Sequence, residues 1–514
     1  MKLLNIKIIA FICLCFILLA ACQSDESGES KEITEPTHNT DTVKITDCTG
    51  LQKLIDETPS GGTLDLPDHC TYRESATLSK PITLIGGDGV TIKGSDVWSD
   101  WLQRTDGLWE SKLSVPSFGA ANLECDPDQG DRCKWKEQVF VDDNPLVQIA
   151  QGTDPSTGRF ALDKQRKIVL HDDPKDHKVE VTMRTFWIKG SAQNVTIDQF
   201  VFRHAANDRG LGGVDFGGNN WTLKNSSLGF AHAANVSMAR VAGSLVQNID
   251  TFGAGQVGIV GNYANGKIEG GRVHDNNIEG TKPSFAGGGI KISNPVNLTI
   301  TGVEVDHNHD NGIWTDVPTS PQKIVISNNK VHHNPGDGIR VEVTTNAEVF
   351  GNLVYENGWE RTKAGIALNA SSSSNVHDNI LAWNYNGIEI RNPLRTDKHK
   401  DEGAYDKVSD IHVHHNKIIA EDKPGDDDKL ALAWIQAWKG GNIFEPSANN
   451  RGNDNEYYFT TKEDGQNRYR WSSPYASLEQ FNSSPGEENG HYLTDAEKDQ
   501  ILSSNKLPAR PEAH

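Results

Sequence analysis

The chain has 514 residues, 23% of them charged, and carries a formal net charge of -20. So acidic a balance argues against nucleic acid as a partner, while leaving room for an anionic sugar polymer met away from the charge. Its 48 glycines and short period-2 aliphatic runs indicate turn-rich β structure and exclude a helical bundle.

Lys2 and Lys7 flank the start of an apolar run, Ile8 to Leu18, that is too short for a typical spanning helix. Leu19-Ala-Ala-Cys22 closes it with small residues and a cysteine. The pattern resembles a bacterial lipoprotein signal, which implies a signal peptide over residues 1–22 and a lipid on Cys22. The protein is then exported and held on the bacterial cell membrane or outer membrane by that lipid alone. Residues 23–45 are mostly Ser, Glu, Asp and Thr and read as a disordered tether. Of seven cysteines, Cys13 and Cys15 lie in the signal, leaving Cys48, Cys70, Cys125 and Cys133. An even number in an oxidising compartment points to disulfides, and local pairing, 48–70 and 125–133, is the simplest of three connectivities. No Cys/His spacing indicates structural zinc.

Leu51 to Asp56 reads as a short amphipathic helix capping a solenoid, followed by strand-like Ile82-Thr-Leu-Ile and Val90-Thr-Ile-Lys. Residues 97–187 break the period. They hold Trp98, Trp101, Trp109 and Trp135, and read as a β-rich insertion. From about 195 to 420 one phrase recurs. Its Asn members are Asn276, Asn308, Asn334, Asn357 and Asn384; Gly289, Gly312, Gly338, Gly365 and Gly387 each open a Gly-Ile strand. Successive glycines are 23, 26, 27 and 22 residues apart. A unit of that length buries its apolar face only by stacking on its neighbours. The Asn series is expected to be structural, through left-handed turns and stacked amides. Residues 421–514 lose the repeat and read as a far cap. They contain the charged connector Asp426-Asp-Asp-Lys, an apolar strand from Ala431, and a capped helix from Thr494.

These phrases, the entrance segment and the stretch Glu137 to Asp143 resemble secreted right-handed parallel β-helix proteins of the pectate-lyase-like superfamily, over residues 46–420. The resemblance implies an all-β, single-stranded solenoid with an N-terminal cap, an insertion and a C-terminal cap. Within that group, Gly287-Gly-Gly-Ile-Lys291, Asn311-Gly-Ile-Trp314-Thr-Asp316 and Asp337-Gly-Ile-Arg340-Val-Glu342 resemble bacterial carbohydrate enzymes. The rungs lack the Asn-Thr-Asp, Asp-Asp and Gly-His-Gly set of polygalacturonases and the Asp-Pro-His signature of alginate epimerases.

Register then lines up chemistry. After each glycine, side chains alternate inward and outward. Lys291, Trp314, Arg340, Ala367 and Glu389 form one outward file; Ser293, Asp316, Glu342, Asn369 and Arg391 form the next. With rungs about 4.8 Å apart, Asp316 and Glu342 become direct neighbours. Such a pair suits a glycoside hydrolase: one carboxyl gives a proton to the leaving oxygen while the other attacks the sugar or activates water. Trp314 offers a face for a pyranose. Arg340, His307, His332, Glu389 and Arg391 complete the expected sugar-binding set on an extracellular polysaccharide, served by a single chain. A polysaccharide lyase could use the same place, with Lys291 or a histidine as base and Arg340, or calcium on Asp316 and Glu342, neutralising a uronate. Charge counting opposes Lys291 as base, because two carboxylates raise a lysine's pKa. The bland readings are ion pairs across rungs of an ordinary polar face, or a glycan-binding surface without catalysis.

Overall fold

A computed structural model of the chain describes residues 46–285, 287–316, 323–359, 363–393, 408–420, 429–437, 441–460 and 467–509. The expected signal, tether and lipid site at Cys22 lie outside the described residues, as do the Asp426–Asp428 triplet and the loop 394–407. Residues 44–514 form one compact unit, a right-handed parallel β-helix. A typical rung has three strands, as in Leu298–Thr301, Glu304–Asp306 and Asn311–Asp316. The first two belong to a 24-stranded sheet, bent at Gly302 where φ is +66°, and the third to a 13-stranded sheet. The repeated rungs send aliphatic side chains inward. Ile290, Ile313, Ile339, Ile366 and Ile388 stack in one fully buried column, each contributing roughly 1.5–3 kcal/mol by leaving water.

The entrance helix, Leu51–Glu57, buries Leu51 and Ile55. The Glu74 carboxylate accepts from the backbone N–H of Gly50 at 2.7 Å and of Leu51 at 2.9 Å, satisfying donors that a helix start leaves orphaned. Cys48–Cys70 and Cys125–Cys133 are both disulfide-bonded. The insertion forms its own four-stranded and five-stranded sheets around Trp98, Trp101, Trp109, Phe160 and Ile168. The ladder does not stop near Ile419. Leu432–Gln436, Arg451–Asn453, Glu456–Phe459 and Tyr469–Trp471 continue it. The repeat phrase is unreadable there because Tyr457, Tyr469 and Trp471 replace aliphatic residues as core fillers. Helix Asp495–Ser504, with a full Thr494/Glu497 capping box, lays Leu502 beside Tyr355, Trp383 and Tyr458 on the flank of the solenoid.

The expected Asn file is a buried amide ladder. Each side-chain N–H of Asn276, Asn308, Asn334 and Asn357 donates to the next asparagine's Oδ1 at 2.8 to 3.0 Å, ending on Asn384. The left-handed geometry falls one residue earlier, on Asp275, His307, His333, Glu356 and Trp383, all with φ between 51° and 60°. That turn aims each Asn inward, where its amide replaces lost water. A second ladder, Asn329, Asn352, Asn379, Asn416 and Asn455, ends on the carboxylate of Glu487.

Burial pushes Glu487 up to about 7, although Tyr457 and Asn455 donate to it. In this window the folded state holds a proton that the unfolded chain releases, so stability falls as pH rises from about 4.5 through about 7. Glu487→Gln should abolish that slope and stabilise the protein at pH 8 by up to about 3 kcal/mol, measured by urea unfolding at pH 5 and pH 8.

Candidate functional site

The site stands on the outer face of the 13-stranded sheet, where the register leaves no freedom. Lys291 pairs with Trp314 and Trp314 with Arg340, while Ser293 pairs with Asp316 and Asp316 with Glu342. Lys291 Nζ donates to Asp316 Oδ2 at 2.7 Å. Arg340 Nη2 lies 2.8 Å from Glu342 Oε2, and Trp314 Nε1 donates to the same oxygen at 3.0 Å. The two carboxylates therefore meet as halves of two ion pairs. Asp316 Oδ1 is buried without a hydrogen-bond partner.

Trp314 is not an open platform. It is 5% exposed, with Lys291 Nζ 3.0 Å and the Arg340 guanidinium 4.6 Å from its ring centre. Cations from the rungs above and below cover the faces expected to take a sugar, an arrangement favoured by the ring quadrupole. Lys291 also differs from expectation. Burial pushes its ammonium down to about 8, against the opposing pull of Asp316 and Glu342. Desolvation wins because Lys291 is almost wholly enclosed.

Glu389 and Arg391 lie at the far end of the same files. Arg391 donates to Glu389 and reaches both oxygens of Asp337 at 3.2 Å; Asn386 donates to Glu389 at 2.6 Å. Burial holds Glu389 above the usual carboxylate range. Burial also works on Asp337, but Arg391 and Arg340 outweigh it and hold that carboxyl low. Asp337, which sequence reasoning did not single out, bridges the two arginines, lying 3.9 Å from Arg340. Its signal was present: Asn311, Asp337 and Asn386 each stand directly before Gly-Ile. Glu389 and Arg391 are thus positioned to hold Arg340's surroundings rigid.

His307 and His332 stand apart from this column. The turn through Asn308 carries the chain onto another face, where His332 Nε2 meets Glu304 at 3.0 Å and His307 Nδ1 meets Asp306 at 2.6 Å. Burial lowers His332 to about 4. Ligand atoms of Asp306, His307 and His332 lie within 4.8 Å of one another, but the Arg272 fork already clamps both Asp306 oxygens, at 2.8 and 2.5 Å. At the main site, too, the partners of Asp316 and Glu342 are cations, so calcium would have to displace Lys291 and Arg340.

The insertion docks on the segment that precedes the site's first strand. Arg132, inside its Cys125–Cys133 loop, reaches Glu279 at 2.7 Å and the Ile278 carbonyl at 2.6 Å. The Asp126 N–H donates to the Gly280 carbonyl at 2.9 Å. The segment so clasped leads into strand Gly288–Ser293, which carries Lys291. The opposite wall expected from Arg395 to Lys407 falls outside the described residues.

A family model described as a right-handed β-helix region matches residues 212–381. No curated protein sequence matches the chain. Solved structures share the fold. A protein named XylC, determined in complex with xylose, superposes with a TM-score of 0.59 at 14% identity, covering 82% of this chain and 83% of its own. A glycoside hydrolase gives 0.41 at 12% identity, covering 88% and 91%. A double mutant of the periplasmic alginate epimerase AlgG gives 0.40 at 13%, covering 76% and 81%.

Proposed function

We propose that the chain hydrolyses glycosidic bonds of an extracellular polysaccharide, with Asp316 and Glu342 as the carboxylate pair. The observation that carries this reading is their direct opposition on adjacent rungs, each oriented by fixed donors. A spacing of about 4.8 Å between rungs suits the roughly 5–5.5 Å of retaining enzymes and not the 6.5–9.5 Å that accommodates a water. Asp316, held in place by the hydrogen bond from Lys291 Nζ, takes the role of nucleophile. Glu342, whose Oε2 is anchored by Arg340 and Trp314, takes the role of acid and base. A sugar-bound relative in fold supports a carbohydrate substrate. Export on a Cys22 lipid, consistent with two disulfides, would place this activity at the cell surface.

One observation favours a second reading, β-elimination on a uronate. A lysine lowered to about 8 is a competent base near neutral pH, with Arg340 to neutralise the carboxylate. The two readings require different protonation states of Lys291. In hydrolysis the ammonium sustains Asp316, so kcat/KM should fall as pH rises through about 8. In elimination the free amine takes the proton, so kcat/KM should rise over the same interval. Hydrolysis predicts the falling limb and its loss in Lys291→Met; a rising limb lost in that variant would replace hydrolysis by elimination. An inert protein that still binds glycan would leave the surface-binding reading.

A further inference from the structure

A cavity of about 830 Å³ opens between the first rungs and the insertion. The helix contributes Arg203, Phe230 and Phe252, and the insertion contributes Val97, Asp143 and Lys178. Although the chain is strongly acidic, this cavity sets four cations, Arg73, Lys93, Lys178 and Arg203, against two lining carboxylates, Asp47 and Asp143. Three of these cations are spoken for: Arg73, Lys93 and Lys178 converge on the buried carboxylate of Glu180 at 2.7, 2.8 and 3.5 Å. Arg203 is different. Its guanidinium donates only to uncharged oxygens, the carbonyls of Phe202 and Ser227 and Ser227 Oγ, at 2.8 to 3.1 Å. Among the described residues no carboxylate pairs with it. It lies over the Phe252 ring, 4.8 Å from its centre, and burial holds it below the usual arginine range.

Asp250 and Asp143 act on Arg203 without forming an ion pair with it, and a largely buried guanidinium left in that state, facing a cavity of ligand size, is a receptor for an anion. Val97, Val201, Phe230 and Phe252 line the same space and suit the apolar flank of a pyranose. We propose that this cavity binds an anionic sugar unit, its carboxylate or sulfate on Arg203 and its ring against the Phe230–Phe252 wall. The ligand class rests on the carbohydrate reading of the chain, but the site uses none of the residues assigned to catalysis. It would retain an acidic polymer while another segment is cut.

The test is calorimetric titration of the full chain carrying Asp316→Asn with methyl glucuronoside, glucose 6-sulfate and neutral methyl glucoside. Binding of one anionic probe, about tenfold or more tighter than the neutral sugar, weakening with salt and lost in Arg203→Met, is the expected result. Which anionic probe binds separates carboxylate from sulfate. Lys178→Gln, on the exposed rim, should weaken binding severalfold and guards against misfolding of the Arg203 variant. Equal binding of charged and neutral sugars, indifference to both substitutions, or silence with all three probes would overturn the site. Catalytic failure of Asp316→Asn with this binding intact would separate the two proposals.

Discussion

Asp316→Ala is expected to lower kcat/KM on an aryl glycoside by at least about 10³-fold, and azide should restore turnover. Removing the carboxylate deletes the atom that bonds to the anomeric carbon and leaves a space that azide can enter. The aryl leaving group departs without needing a proton, a C–N bond forms as the C–O bond breaks, and the glycosyl azide has inverted configuration. Asp316→Asn should be equally inactive, since an amide is a poor nucleophile, while still accepting the hydrogen bond from Lys291. That comparison matters because Lys291 is 4% exposed, and an uncompensated buried ammonium is destabilising. Loss of activity in Ala with full activity in Asn would assign Asp316 to holding Lys291 and remove it from the chemistry.

The largest effect on stability is expected from the amide ladder. Asn357→Ala removes an acceptor used by both the backbone N–H and the side-chain amide of Asn334, at 3.1 and 2.9 Å. It also removes donors to the carbonyls of Val331 and Tyr355 and to Asn384. Each buried group left unpaired costs about 1–3 kcal/mol, so a loss of at least about 3 kcal/mol in urea unfolding is expected. Asn276→Ala, at the ladder's end, orphans chiefly the Ala254 N–H and should cost markedly less. Equal effects at both positions would mean that the ladder does not act as a chain of amides.

The column of charges was legible in the sequence because Gly-Ile marks the inward register and strand alternation does the rest. Five features were not. Trp314 was read as open because an outward position is ordinarily exposed, yet long cations on adjacent rungs fold over its ring. Lys291 was read by counting neighbouring charges, whereas enclosure decides its proton affinity. His307 and His332 share the repeat but not the face, since the turns at Asn308 and Asn334 lie between them and the site. The second Asn ladder hid in Asn328-Asn329, Gly351-Asn352, Asp378-Asn379 and His415-Asn416, pairs that read as loops because the left-handed residue precedes the buried one. Residues 97–187 carry no period, so their docking onto the segment before Lys291 could only be seen in three dimensions.

The most direct test is digestion of a glycan panel by the wild type and Glu342→Gln. Reducing ends and the ultraviolet absorbance of unsaturated uronates are followed together. The expected result is reducing-end release without that absorbance, reduced about 10²–10⁴-fold in the variant. Undiminished cleavage by Glu342→Gln, or products that absorb, would contradict hydrolysis through the Asp316–Glu342 pair.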